Sequence, residues 1–332
     1  VGSEMCIRDR DKGEFYDFML SVITDMERQG RYSTAHVYYC ALQSAMGYSG
    51  YSLRIEELNP VWLGHYQEHL LRQALMWNTI STYMRMLRAV YNRAVDMGLA
   101  PYIPRQFKNV FTGRHTNHQR ALKKEEIRLA LLERVETEND NLPSERETAA
   151  PCTLRDLDWA RACLELMLRF HGIPFVDLAH LRKVDLRNGY LTIRRHKTGM
   201  PLSIAVDAAA MKLLRRYASD DPSSPYLLNI LNGRLSGKEA YKDYQQALRM
   251  LNLQLYRLSR ACRLGKRLSS YTARHSWATI AKSRGISVEV ISEALGHASI
   301  STTEGYLKQF DNDEIEKANS CLLYTSPSPR DV

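Results

Sequence analysis

Residues 270–306 read SYTARHSWATIAKSRGISVEVISEALGHASISTTEGY, and within that stretch Arg274, His297 and Tyr306 follow one another inside 33 residues. A guanidinium fork matches two phosphate oxygens, an imidazole adds a further polar contact, and a phenol offers an attacking oxygen. The set therefore suits charge stabilisation and nucleophilic attack at a phosphodiester. Ser287 to Gly296 has the signals of a short helix, which puts His297 just past its end. Ser301-Thr-Thr-Glu304 has the form of a capping box, so a helix is expected to start there with Tyr306 in its first turns.

Outward from this stretch the charge is uneven. From Tyr244 to Val288 there are nine Lys or Arg (Arg249, Arg257, Arg260, Arg263, Lys266, Arg267, Arg274, Lys282, Arg284) and no Asp or Glu. Solvated helix faces normally mix signs, so a one-sign stretch of this length points to a phosphate backbone. The whole chain has 332 residues, 44% of them hydrophobic, and a net charge of +9, which fits two cored domains with a polyanionic partner. Its six cysteines are scattered, with no spacing that suits zinc, and imply a reduced, cytoplasmic protein without a metal site. No apolar run reaches the ~18–20 residues of a membrane span.

Periodicity outlines the domains. Phe15, Phe18, Met19, Val22 and Met26 mark a helix over 14–29. Ser33 is placed as the N-cap of a helix to about Met46, Pro60 at a helix start, and Asn78 as the cap of a helix carrying Ile80, Tyr83, Leu87, Val90 and Ala94 on one face. Residues 101–120 lack periodicity and fit a linker, Lys123–Glu126 opens a helix, 133–151 reads as a loop, and Leu157–Phe170 as an apolar core helix. The one clear β signal is Gly189–Val206, where Tyr190–Ile193 alternates, Lys197-Thr-Gly199 turns and Leu202–Val206 returns.

The spacing from Leu295-Gly-His297 to Tyr306, with Ser299, Thr302 and Thr303 between, closely resembles the C-terminal signature of the tyrosine recombinases, or phage-type integrases. Arg274-His-Ser-Trp277 resembles the second arginine motif of that family, and Asn78–Arg85 resembles its core-binding domain. The likeness runs from about Phe15 to about Asn319. It implies a mainly α protein with a small β-hairpin or sheet: a helical, SAM-like core-binding domain at 11–105, a linker at 106–120 and an α+β catalytic domain at 121–320. Val1–Arg10 and Cys321–Val332 resemble translated sequencing adaptor and are taken as non-native tails.

The resemblance also implies roles. Tyr306 would be the nucleophile, Arg274 would hold the phosphoryl oxygens, His297 would contact a phosphoryl oxygen or help Tyr306 lose its proton, and Lys197 at the hairpin tip would protonate the leaving 5′-oxygen. Arg85, Arg88, Arg263, Lys266 and Arg267 would contact DNA. The partner would be double-stranded DNA, bound by a homotetramer on synapsed sites with accessory DNA-bending factors, the segment Asp311–Asn319 docking on a neighbouring protomer. Neither cofactor nor metal is implied. A type IB topoisomerase shares the chemistry, but the compact signature and helical N-terminal domain are more similar to integrases.

Two positions depart from the family pattern. Tyr271 stands where a histidine is usual, three residues before Arg274, with His275 adjacent as an accessory candidate. Pro174 stands where the first arginine is usual, followed by an acidic match at Asp177, and Phe175–Ala179 is similar to a mobile-element subgroup with that substitution. Arg169, His171 and Arg182 are the nearby replacements, Arg169 placed first. These departures keep a second expectation alongside the recombinase: an inactive, sequence-specific DNA-binding protein derived from an integrase.

Overall fold

The computed structural model describes residues 14–113, 121–132, 154–304 and 307. The chain divides into two compact units: residues 1–116 with 236–242, and residues 117–235 with 243–332.

The first unit is built on four helices, α1 (Glu14–Arg28), α2 (Tyr32–Tyr48), α3 (Pro60–Arg72) and α4 (Trp77–Asp96). Phe15, Met19, Val22, Ile23 and Met26 recur at helical spacing on α1 and are all buried, as are Ile80, Met84, Leu87, Val90, Tyr91 and Ala94 on α4. α3 starts as its sequence dictates: Asn59 Oδ1 accepts from the amides of Val61 and Trp62 at 3.0 Å each, and Pro60 takes the first turn. Two expected caps are displaced. α2 begins at Tyr32 after Arg31 and α4 at Trp77 after Met76, without side-chain caps, so Ser33 and Asn78 lie inside their helices. The segment expected as a linker from residue 106 is not free of the core: Gln106, Phe107 and Val110 are buried.

The second unit forms around α6 (Leu154–Arg169), whose Leu157, Ala160, Cys163, Leu164 and Met167 make a buried stripe. α5 (Lys124–Leu132), α7 (Phe175–Ala179), α8 (Ala208–Arg216) and α10 (Thr272–Ser283) pack against it. The later half of α9 (Gly237–Ala261) adds Leu251, Leu255 and Leu258 to the same core. The Glu126 carboxylate accepts from the Lys123 amide at 2.6 Å and so closes the start of α5. α11 (Val288–Ala294) and α12 (Ile300–Glu304) complete the described helices.

A three-stranded antiparallel sheet, ordered β1 (Leu186–Arg187), β2 (Tyr190–Arg194), β3 (Pro201–Ala205), sits on this unit. Leu191 pairs with Ile204 and Ile193 with Leu202, which sets the apolar face inward. Among the described residues no helix is long and apolar enough to cross a membrane.

Phe170, fully buried at the end of α6, has no room to collapse around when truncated. Phe170→Ala should cost about 3–5 kcal/mol in urea unfolding followed by circular dichroism, whereas Val184→Ala, 61% exposed, should stay within about 0.5 kcal/mol.

Candidate active site

The C-terminus of α6 turns sharply, His171 at φ +56° and Gly172 at φ +69°. A Cβ on Gly172 would lie 2.9 Å from the Cα of Arg274, so only glycine admits α10 this closely. The gain from that approach is direct: Arg274 Nη1 donates to the Gly172 carbonyl at 3.0 Å. Arg274 lies in the first turn of α10 and is 3% exposed. Its Nη2 donates to the Leu295 carbonyl at 2.8 Å and to His297 Nε2 at 2.6 Å.

Those bonds fix the imidazole. Arginine only donates, so His297 Nε2 accepts, and Nδ1 carries the proton toward Thr303 Oγ1 at 2.7 Å. α11 is capped by Ser287 and ends at Leu295, and Gly296 at φ +61° turns the chain so that His297 faces Arg274. Burial, reinforced by the charges of Arg274, Arg195 and Lys197, pulls the His297 pKa down to about 4. The ring is therefore neutral near pH 7.

The hairpin supplies the third side of the site. Along β2 the inward register runs Leu191, Ile193 and then Arg195, which is 5% exposed. Arg195 Nη1 donates to the same Leu295 carbonyl that Arg274 uses, and its stem lies against Gly296, where a Cβ would come within 3.0 Å of Cγ. Its Nε approaches Asp177 Oδ2 at 2.5 Å, close enough for an ion pair but off the line of a hydrogen bond. The other Asp177 oxygen accepts from the His196 amide at 2.8 Å. Lys197 follows at the exposed tip, near enough for its charge to act on His297.

Comparison with known proteins places this arrangement. The profile of the Phage integrase family matches residues 149–313, and that of the Phage integrase SAM-like domain matches residues 14–110. The chain belongs to the phage integrase family. Tyrosine recombinase XerA of Pyrococcus furiosus is 30% identical over 162 residues, covering 46% of this chain and 53% of the relative. Tyrosine recombinase XerC of Syntrophus aciditrophicus is 29% identical over 159 residues, 44% and 47% of the two chains. The chain thus spans about half the length of the curated relatives it matches. Among solved structures, a lambda integrase (75–356) dimer bound to a COC′ core site superposes with TM-score 0.60 at 14% identity, covering 89% of this chain and 97% of that one. The Tn1549 transposon integrase in complex with transposon right end DNA gives 0.60 at 12% identity, covering 93% and 99%. The fold is that of the integrases: a SAM-like helical domain followed by a mainly helical catalytic domain with a small sheet.

The candidate residues fall into three groups. Arg274 and His297 touch, and Lys197 lies at the hairpin beside them. Tyr306 and the segment Asp311–Asn319 lie outside the described residues. The expected capping box is shifted, because α12 starts at Ile300 and Ser301 lies inside it, its hydroxyl 2.7 Å from that of Ser299.

The others are placed differently. Arg169, ranked first as a replacement cation, is committed to two carboxylates, Glu165 at 2.7 Å and Asp207 at 2.5 Å. His171 packs its ring on Trp277, and burial lowers its pKa, so it is a poor cation near neutrality. Tyr271 immediately precedes α10 and is 50% exposed, and His275 lies one turn further on. Arg182 is exposed beside the short turn before β1.

Of the DNA-contact candidates, Arg88, Arg263 and Arg267 are exposed, Arg267 lying over the Tyr256 ring at 4.8 Å. Arg85 leans on its own helix through the Ser81 carbonyl and Thr82 hydroxyl, each at 3.3 Å. Lys266 is turned inward, to the Ala121 carbonyl at 3.0 Å and Glu126 at 3.4 Å, so it ties down the start of α5. Arg195 was missed by sequence reasoning. The signal for it is its place in the period-2 register, two residues after Ile193 on the buried face.

Two outcomes follow. The His297 pKa falls on folding, so the folded protein takes up this proton less readily than the unfolded chain. Its contribution to stability is therefore lost as pH drops from about 6.5 toward about 4. His297→Gln should flatten part of the fall in melting temperature across that window, while the half-buried His171 and His180, also lowered, keep the remainder. Gly172→Ala should lower the melting temperature and the activity together, because the added methyl meets α10 backbone rather than a side chain that can swing away.

Proposed function

We propose that the chain is a site-specific DNA recombinase of a mobile element, cutting and rejoining strands through a 3′-phosphotyrosine on Tyr306. The observation that carries this is the convergence of Arg274 and His297, in contact at 2.6 Å, with Lys197 beside them on the hairpin. The phenolate oxygen of Tyr306 attacks the scissile phosphorus, a P–O bond forms to the protein, and the bond to the 5′-oxygen breaks. Lys197 gives its proton to that oxygen, leaving a 5′-hydroxyl. Negative charge grows on the non-bridging oxygens, where the Arg274 guanidinium, held in place by the His297 ring, serves as a fixed partner. Rejoining is the reverse, with a 5′-hydroxyl from the partner duplex. The bond energy stays in the protein–DNA link, so the cycle calls for no cofactor or metal.

Double-stranded DNA is the substrate and partner, held by the cations of the one-sign stretch, of which Arg249, Arg260, Arg263, Arg267 and Arg284 are exposed. A tetramer on two synapsed duplexes, with accessory DNA-bending factors, completes the assembly. The inactive-binder alternative, motivated by Pro174 and Tyr271, explains less. A protein that only holds DNA gains nothing from burying two guanidiniums against one carbonyl.

Incubation with nicked suicide DNA tests this directly. The parent should trap a covalent adduct, and Tyr306→Phe should abolish it while leaving binding within a few-fold. Binding should also weaken by roughly 10³–10⁵ between about 50 and 200 mM salt if ~6–10 phosphates are neutralised. A parent that binds DNA but never forms the adduct would restore the inactive-binder alternative.

A further inference from the structure

We propose that Arg195, from the β-hairpin, is the phosphate-holding cation that stands in for the arginine absent at Pro174. This rests on the recombinase function proposed above and names a further catalytic residue for that reaction.

The position that lacks the arginine is not empty of its chemistry. Asp177 lies three residues after Pro174, on α7, and its carboxylate is paired with a guanidinium. That guanidinium arrives from the residue following β2, at the start of the hairpin turn, instead of from the turn before α7. Arg195 is then aimed by three contacts: Asp177 at its Nε, the Leu295 carbonyl at Nη1, and the backbone of Gly296 along its stem. Sharing the Leu295 acceptor with Arg274 brings the two forks together at the end of α11. Its Nη2 carries no recorded hydrogen bond among the described residues.

Charge argues the same way. Arg195, Lys197 and Arg274 gather around a neutral His297, and Asp177 is the carboxylate paired with Arg195. Two buried guanidiniums held on one carbonyl repel each other, and an anion beside them relieves that cost. Attack on a phosphodiester supplies it, because the five-coordinate transition state carries one more negative charge than the ground state. Arg169, the nearer candidate in sequence, is already balanced by Glu165 and Asp207.

A purely structural pair would also hurt when broken, so the test must separate charge from folding. Suicide DNA would be prepared with either a normal scissile phosphate or a methylphosphonate, which is uncharged at the non-bridging position. Arg195→Ala should lose ~10²-fold or more in cleavage of the phosphate substrate, and regain at least a tenfold share of that loss, relative to parent, on the methylphosphonate. Arg195→Met combined with Asp177→Asn removes both charges at once, leaves no orphan ion in the core and keeps an acceptor for the His196 amide. With circular dichroism and melting temperature near the parent's, it should show the same loss and the same rescue. Arg169→Ala should cleave both substrates like the parent.

If the folded double variant cleaves the phosphate substrate within about threefold of the parent, the assignment is wrong. Equal losses on both substrates would make Arg195 a structural brace and would also overturn it. If the parent forms no adduct on any substrate, the recombinase function fails first and this assignment falls with it.

Discussion

The carbonyl oxygen of Leu295 is the point on which the site turns. It is a helix-terminal acceptor, one of those that α11 cannot satisfy internally, and two guanidiniums use it. Arg274 reaches it from α10 and Arg195 from the hairpin, 100 residues away, so three elements are registered to one atom. The negative end of a short helix is a suitable anchor, since it favours cations without neutralising them as a carboxylate would. Gly296 makes room for the second fork, and the turn it permits presents His297 to the first.

The neutrality of His297 follows from the same crowding. Burial is the larger penalty on a cationic imidazole here, and repulsion from Arg274, Arg195 and Lys197 adds to it. With its Nε2 accepting from Arg274 and its Nδ1 directed at Thr303, the ring bridges the arginine to α12. Thr303 is fully buried, and α12 leads into the residues that carry Tyr306. The polar chain Leu295–Arg274–His297–Thr303 therefore runs from the end of α11 to α12, and each link is a hydrogen bond with defined donor and acceptor.

What the sequence disclosed, and what it hid, divides along local and non-local interactions. The helices of the first unit were legible because Phe15–Met26 and Ile80–Ala94 repeat at helical spacing and need no distant partner to do so. Helix starts were less legible, since Ser33 and Asn78 have capping chemistry yet α2 and α4 begin earlier, after Arg31 and Met76, without side-chain caps. β1, two residues long, is too short to alternate. At the site, Arg274, His297 and Lys197 were named from motifs, but the arginine substitute was sought near Pro174. Arg169 is near in sequence and is captured by Asp207, 38 residues on, while Arg195 reaches Leu295 across 100 residues. Such pairings are set by the packing of helices and hairpin, which no window of sequence contains.

Moving an arginine from a helix turn to a hairpin changes what the hairpin must do. In this chain the same short segment carries both Arg195 and Lys197, so its docking decides two charges at once. Asp177 fixes it twice, through the Arg195 guanidinium and the His196 amide. The turn itself is closed by Arg195 N to the Met200 carbonyl at 2.9 Å and by Gly199 N to the Arg195 carbonyl at 2.8 Å. Thr198 adds a bond to the Gly296 carbonyl at 3.3 Å. Lys197 is thus flanked by pinned neighbours while its own side chain stays exposed. That suits the proton-donor role proposed for Lys197: the Cα is held at a set distance from Arg195 and Arg274, and four rotatable bonds would let the ammonium follow a departing oxygen. The buried ion pair beneath the hairpin is then not simply a stabilising contact. It is the means by which one carboxylate, Asp177, holds Arg195 and Lys197 in register with Arg274.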